Sequence, residues 1–173
     1  MRRLKSLRGF TLMELVIVMA VVSIMSVMVV SFTVLCNGWS QWGIGRYRVT
    51  DSERAADGML REFVAAYDNQ DYYFGTADEG AVLVATAVAD PTERHTMYLN
   101  DNGALAFALP TNGDGLLPLD HITSVHFDVT DGEGKQLIRM RMAYNITNTV
   151  IKRSSTVGSY TVLVCARATG EAV

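Results

Sequence analysis

Glu14 is the one ionisable residue near the start of a long apolar stretch, five positions after Gly9 and four after Phe10. A carboxylate at the rim of a segment suited to lipid is costly to desolvate, so it calls for a cationic partner, and ion pairing is the chemistry it offers. Other reactive residue types are scattered. His95, His121 and His126 are separated, and no GxSxG, HExxH, P-loop or CxxC pattern accompanies them, so the chain is expected not to be an enzyme and to need no cofactor. Two oxygen-rich groups, Asn112, Asp114 and Asp120, and Asp68, Asp71, Asp78 and Glu79, could in principle hold calcium, but neither has EF-hand spacing and Asp-Gly and Asn-Gly runs belong to turns.

The element that must position Glu14 is the stretch 15–36, which is 22 residues without charge, Pro or Gly. As a helix it would span about 33 Å, enough to cross a bilayer. A cleaved secretory signal has an apolar core of roughly 7–15 residues, so this length favours a retained membrane helix. Arg2, Arg3, Lys5 and Arg8 precede the span, and Trp39 and Trp42 follow it. The positive-inside tendency then puts the N-terminus in the cytoplasm and everything after residue 37 outside, with the tryptophans at the far interface. By itself Glu14 could be an interfacial side chain that snorkels to the cytoplasmic surface. Ser23, Ser26, Ser31 and Thr33 could pack helices together or bond their own backbone one turn back.

The basic leader, Gly9 before Phe10, Glu14 as the fifth residue after Gly9 and the apolar helix together resemble the N-terminal signal of type IV pilins and of the pseudopilins of type II secretion and competence systems. The resemblance implies that a membrane prepilin peptidase cuts between Gly9 and Phe10 and methylates the new amine of Phe10. It also implies that other pilin or pseudopilin subunits and membrane lipid are the partners. Removing four cationic side chains frees the helix to move along its axis. The mature chain then begins with an ammonium at Phe10 and a carboxylate at Glu14, one helical turn away, able to pair within one chain or between neighbours. Glu14 is thereby expected to be an assembly residue that fixes the register of the helix among its neighbours.

Composition narrows the remaining possibilities. The leader holds four of the 15 cationic side chains and no acidic one, leaving 11 against 18 acidic residues, a net charge of −7. Such a chain is a poor match for DNA or anionic lipid, and no direct nucleic-acid contact is expected; Arg139 and Arg141 are the nearest approach to a basic patch. Cys36 and Cys165 lie in a disulfide-permissive setting, but a bond would need the strand of Cys165 to reach the bilayer exit, so two free, largely buried thiols are expected.

Four stretches follow from the pattern: a leader at 1–9, an assembly helix at 10–36, a glycine-containing join and amphipathic helix at 37–67, and an exported β domain at 68–173. Gly38, Gly43 and Gly45 weaken the join, each by up to about 1 kcal/mol in a helix interior, so one helix with a flexible middle and two helices in line both fit. Thr50-Asp51-Ser52-Glu53 matches a capping box, and Ala56, Met59, Leu60, Phe63 and Tyr67 recur at helical spacing opposite Arg54, Asp57, Arg61 and Glu62. Period-two segments at 81–88, 95–100, 104–109, 122–130, 135–144 and 159–167 predict strands. An Asn102-Gly103 two-residue turn would place Tyr98 opposite Phe107, and a four-residue loop at 131–134 would place Phe127 opposite Ile138, Val125 opposite Met140 and His126 opposite Arg139.

The fold class expected is α+β and pilin-like, a long N-terminal helix continuing into an amphipathic helix packed on an antiparallel sheet. This layout is most similar to a minor, J-like pseudopilin. A pilus-borne adhesin or uptake receptor on the same anchor is the alternative, for which Tyr72, Tyr73 and Phe74 are the candidate exposed aromatics, although a strand edge or a core plug is the simpler account of them.

Overall fold

The architecture is that of a computed structural model, which describes residues 11–68, 71–109, 113–132, 135–148 and 153–166. The chain divides into two compact units, Met1–Gln41 and Trp42–Val173. One helix, α1 (Leu12–Tyr67, 56 residues), is followed by eight strands: β1 (Tyr72–Ala77), β2 (Val82–Ala87), β3 (Arg94–Leu99), β4 (Ala104–Leu109), β5 (Gly113–Pro118), β6 (Ile122–Gly132), β7 (Lys135–Asn148) and β8 (Arg153–Ala166). The α+β, pilin-like architecture is thus present, a long N-terminal apolar helix ahead of antiparallel sheet.

Helix α1 runs through all three glycines of the join. Thr50 therefore caps nothing, contrary to the expectation of a helix start at 50–53: its hydroxyl donates back to the carbonyl of Arg46 at 3.0 Å, one turn earlier. Within the second unit Gly45 has a packing reason to be glycine, since a Cβ there would lie 2.7 Å from Cγ2 of Ile146. Backbone approaches side chain closely at this point only because nothing projects from it.

Beyond Val49 the helix buries one stripe. Ala56, Leu60, Phe63, Val64 and Tyr67 are buried, as the 3.6-residue period requires, while Arg54, Arg61 and Glu62 stay exposed. Arg61 donates to Asp57 one turn back at 2.8 Å, an exposed pair worth only about 0.3–0.5 kcal/mol. Tyr67 ends the helix and donates its hydroxyl to the carbonyl of Ala108 at 2.8 Å.

Two antiparallel sheets, not one, pack with this stripe around a single core: a five-stranded meander in the order β1-β2-β3-β4-β5 and a three-stranded sheet in the order β6-β7-β8. Strands β1 and β5 lie outside the period-two segments, and β1 answers to the strand-edge and core-plug account of Tyr72-Tyr73-Phe74. In β1 the aromatic run Tyr72-Tyr73-Phe74 hides any alternation, and β5 (GDGLLP) begins like a loop. Phe74 is buried in the core and Tyr72 and Tyr73 are half-buried, so these three residues form no exposed aromatic patch of the kind an adhesin would need.

Both predicted hairpin registers need correction. Asn100 closes a three-residue loop: its amide donates to the Ala104 carbonyl at 2.9 Å, Gly103 takes φ +74°, and the Asn100 side chain accepts from the amides of Asn102 and Ala104. This is the three-residue hairpin with glycine in the left-handed region. It shifts the register by one, pairing Tyr98 with Ala106 and Met97 with Phe107. In the second sheet the ladder extends to Gly132 and Lys135, so Phe127 pairs with Met140, Val125 with Met142 and His126 with Arg141. That shift is by two, so every side chain keeps its expected face while its partner changes.

One side chain joins the two sheets. Gln136 of β7 is buried, accepts from the amide of Phe74 at 2.8 Å, and donates to the carbonyl of Phe74 at 3.1 Å and to Asp131 at 2.7 Å. Its amide completes the outer edge of β1 as a neighbouring strand would. Replacing Gln136 with Leu leaves the buried N–H and C=O of Phe74 without partners, and unfolding of the full chain in detergent is expected to become easier by about 2–3 kcal/mol. An unchanged melting temperature would show that solvent satisfies Phe74 instead.

Candidate functional site

The start of α1 follows from four residues, Thr11-Leu12-Met13-Glu14. The backbone amide and the hydroxyl of Thr11 donate to Oε2 of Glu14 at 3.0 and 3.1 Å, and the amide of Glu14 donates to the Thr11 hydroxyl at 3.3 Å. This is a reciprocal capping box, which satisfies donors that a helix N-terminus leaves without partners. The T-x-x-E pattern that sequence reasoning assigned to residues 50–53 operates here, and Thr11 is the residue that reasoning missed. The same signal was present at both places.

The arrangement leaves Glu14 half engaged. Oε2 serves the helix, and Oε1 is bonded to none of the described residues. A carboxylate at a helix N-terminus also faces the positive end of the backbone dipole. Gly9 and Phe10 lie outside the described residues.

Behind the box, every residue from 11 to 37 is exposed, including Leu15, Ile17, Val21, Ile24 and Phe32. Exposure of so many apolar side chains is stable only in lipid or against other apolar helices. α1 is the one helix among the described residues long and apolar enough to cross a membrane, with a mean hydropathy of 2.8 over its most apolar window. Ser23, Ser26, Ser31 and Thr33 each donate to the carbonyl four residues back, at 2.8, 2.8, 2.8 and 2.9 Å. Their hydroxyls are satisfied inside the helix, so the apolar surface carries no unmet donor. Trp39 is exposed, and the Arg46 guanidinium lies 5.1 Å from the ring centre of Trp42.

The remaining candidates do not converge. Asp114 is exposed in β5, Asp120 stands 4.0 Å from Arg48, and Asp78 and Glu79 occupy a turn with positive φ; Asn112 lies outside the described residues. Among the described residues no three His, Cys, Asp or Glu side chains are grouped as metal ligands would be. His126 and Arg141 both contact Asp128, at 3.2 and 2.8 Å, on the outer face of the second sheet. Cys36 and Cys165 are free, and both are exposed instead of buried. Cys36 lies on the apolar helix, and Cys165 points outward from β8 because it alternates with the inward Val164 and Ala166.

No curated protein and no solved structure matches the chain. Residues 4–30, which contain Gly9, Phe10 and the Thr11–Glu14 box, match the family model described as the prokaryotic N-terminal methylation motif. The chain therefore carries a type IV pilin-family signal at the head of a helix of membrane-crossing length.

Proposed function

We propose that the chain is the precursor of a pilin-like structural subunit, anchored in the inner membrane with its β domain outside. A prepilin peptidase cleaves it between Gly9 and Phe10 and methylates the amine of Phe10, and its helix then enters a pseudopilus of the type II secretion or competence kind as a minor subunit. Glu14 sets the register: the helix leaves lipid for a bundle of like helices when its carboxylate meets a liberated amine, its own or a neighbour's. No catalysis by this chain and no direct contact with nucleic acid enters the proposal.

The half-engaged carboxylate supports this reading most. Oε2 is fixed by Thr11, whose amide and hydroxyl both remain after a cut at Gly9, and Oε1 is bonded to none of the described residues. The test is to block cleavage with Gly9→Val. The chain is expected to remain in the membrane with its leader and to be missing from sheared fibres. Equal recovery of variant and wild type in the fibres overturns the proposal.

A further inference from the structure

The outer face of the five-stranded sheet lacks the polar surface that an antiparallel sheet normally turns to water. A sheet packed on a core by one face carries polar side chains on the other. Here the residues that alternate with the core side chains Leu83, Met97, Leu105 and Leu117 are Val82, Tyr98, Ala106 and Leu116, and none of them is charged. The register joins them to Ala77 in one cross-strand row, Ala77 to Val82 to Tyr98 to Ala106 to Leu116, which crosses every strand from β1 to β5. Four strand spacings make the row about 19 Å long. Leu116 is 67% exposed and Tyr98 40%, and the small Ala106 lies buried between them.

Charge on this sheet collects at the two ends of the strands, and therefore along the two flanks of the row. Asp78, Glu79 and Asp101 lie in the β1–β2 and β3–β4 turns on one flank, and Asp90, Glu93 and Asp114 lie in the β2–β3 loop and at the start of β5 on the other. All six are exposed, and none is paired with Lys or Arg among the described residues. Residues 68–121 hold nine carboxylates against one cation, Arg94. Hydrogen bonds from the Thr92 hydroxyl and amide hold Asp90 below the ordinary carboxylate range, and hydrogen bonds from Tyr72 and His95 do the same for Glu93. The result is an apolar stripe bordered on both long sides by negative charge.

We infer that this face is a docking site for a basic amphipathic helix of a different chain, whose apolar stripe lies along the row from Ala77 to Leu116 and whose Lys or Arg residues meet the acidic flanks on either side. Shape and sign select this occupant together. A helix of about 13 residues covers the length of the row at 1.5 Å per residue. Apolar anchors at helical spacing fit between Tyr98 and Leu116, where Ala106 leaves room, in the manner of a helix laid in a groove. Carboxylates on both flanks favour cations beside the anchors and repel acidic partners, while exposed pairs of this kind add little affinity each. A second copy does not supply such a helix: the amphipathic stretch of α1 buries its apolar stripe in its own core, and residues 37–67 carry four cations and four carboxylates. The inference goes beyond the subunit reading and does not depend on it.

The test titrates the full chain in uncharged detergent with a labelled peptide of about 18 residues, made of Leu at helical spacing i, i+3, i+4 and i+7 and Lys on both sides of that stripe. Uptake of the peptide by micelles is common to wild type and variants, so the difference between them is read. Leu116→Asp is expected to weaken binding at least about tenfold, because it puts a charge in the middle of the apolar contact. Asp101→Asn with Asp114→Asn, one change on each flank, should weaken it about threefold and reduce its dependence on salt between about 0.05 and 0.5 M. The same peptide with Glu in place of Lys should bind at least about tenfold more weakly than the Lys peptide. All three substituted positions are exposed, and the melting temperatures of the variants are expected to match the wild type; if Leu116→Asp lowers its own, the double Asn variant and the Glu peptide decide. A wild type that does not bind the Lys peptide, variants that bind it equally well, or a Glu peptide bound as tightly overturns the inference. Self-association of the wild type that Leu116→Asp abolishes would give the face to a second copy and overturns it too. None of these outcomes bears on cleavage at Gly9.

Discussion

Replacement of Glu14 with Leu is expected to lower incorporation of the chain into fibres by at least about tenfold while leaving membrane insertion intact. A tenfold change corresponds to about 1.4 kcal/mol, less than the cost of moving one unpaired cation away from the interface into an apolar surrounding. If the cut falls at Gly9, the new amine of Phe10 starts four residues from an acid in the wild type and from none in the variant, whose helix then has no reason to stop at one depth. Glu14 also caps its own helix, so the substitution alone mixes two effects. Thr11→Ala separates them. It removes the hydroxyl of the box, which costs the helix start about 1 kcal/mol, but keeps the charge. Incorporation of Thr11→Ala should stay within about threefold of wild type, a shift of the size a frayed first turn explains. If both variants lose incorporation equally, the carboxylate acts through the cap and not through an amine.

The largest expected effect on stability belongs to Phe63. Its side chain is fully buried in the core, with its ring 5.1 Å from that of Tyr67 in an edge arrangement and 6.5 Å from that of Phe74. Phe63→Ala removes this ring from the core that α1 shares with the sheets, and should destabilise the domain by about 3–5 kcal/mol. The melting temperature of the full chain in detergent is expected to fall by more than about 10 °C. Arg61→Ala, which breaks an exposed i,i+4 pair two residues away, should change it by less than about 2 °C. Equal shifts for the two variants would contradict the placement of Phe63.

What the sequence made legible followed from signals with fixed spacing. The motif matched at residues 4–30 could be read because its residues stand at fixed distances along a short segment. The buried stripe of Ala56, Leu60, Phe63 and Tyr67 could be read because a helix repeats every 3.6 residues whatever lies opposite. Local signals without context failed. Two T-x-x-E patterns occur, at 11–14 and 50–53, and only the first begins a helix; at the second the preceding backbone is already helical and Thr50 bonds back to Arg46.

Register failed for a related reason. A strand's face follows from its own alternation, but its partner depends on loop length, and one residue in the Asn100–Ala104 turn was enough to move Tyr98 from Phe107 to Ala106. The role of Gln136 was illegible for a third reason: a glutamine in a strand reads as a solvent-facing residue. Only the fold brings the edge of β1 to its amide, 62 residues away in sequence.

The proposed trimming at Gly9, which frees an amine to pair with Glu14, is tested most directly by the mass of the N-terminal peptide from native fibres. A peptide beginning at a methylated Phe10 is the expected result. A peptide beginning at Met1, or a protein that never accompanies a fibre, contradicts it.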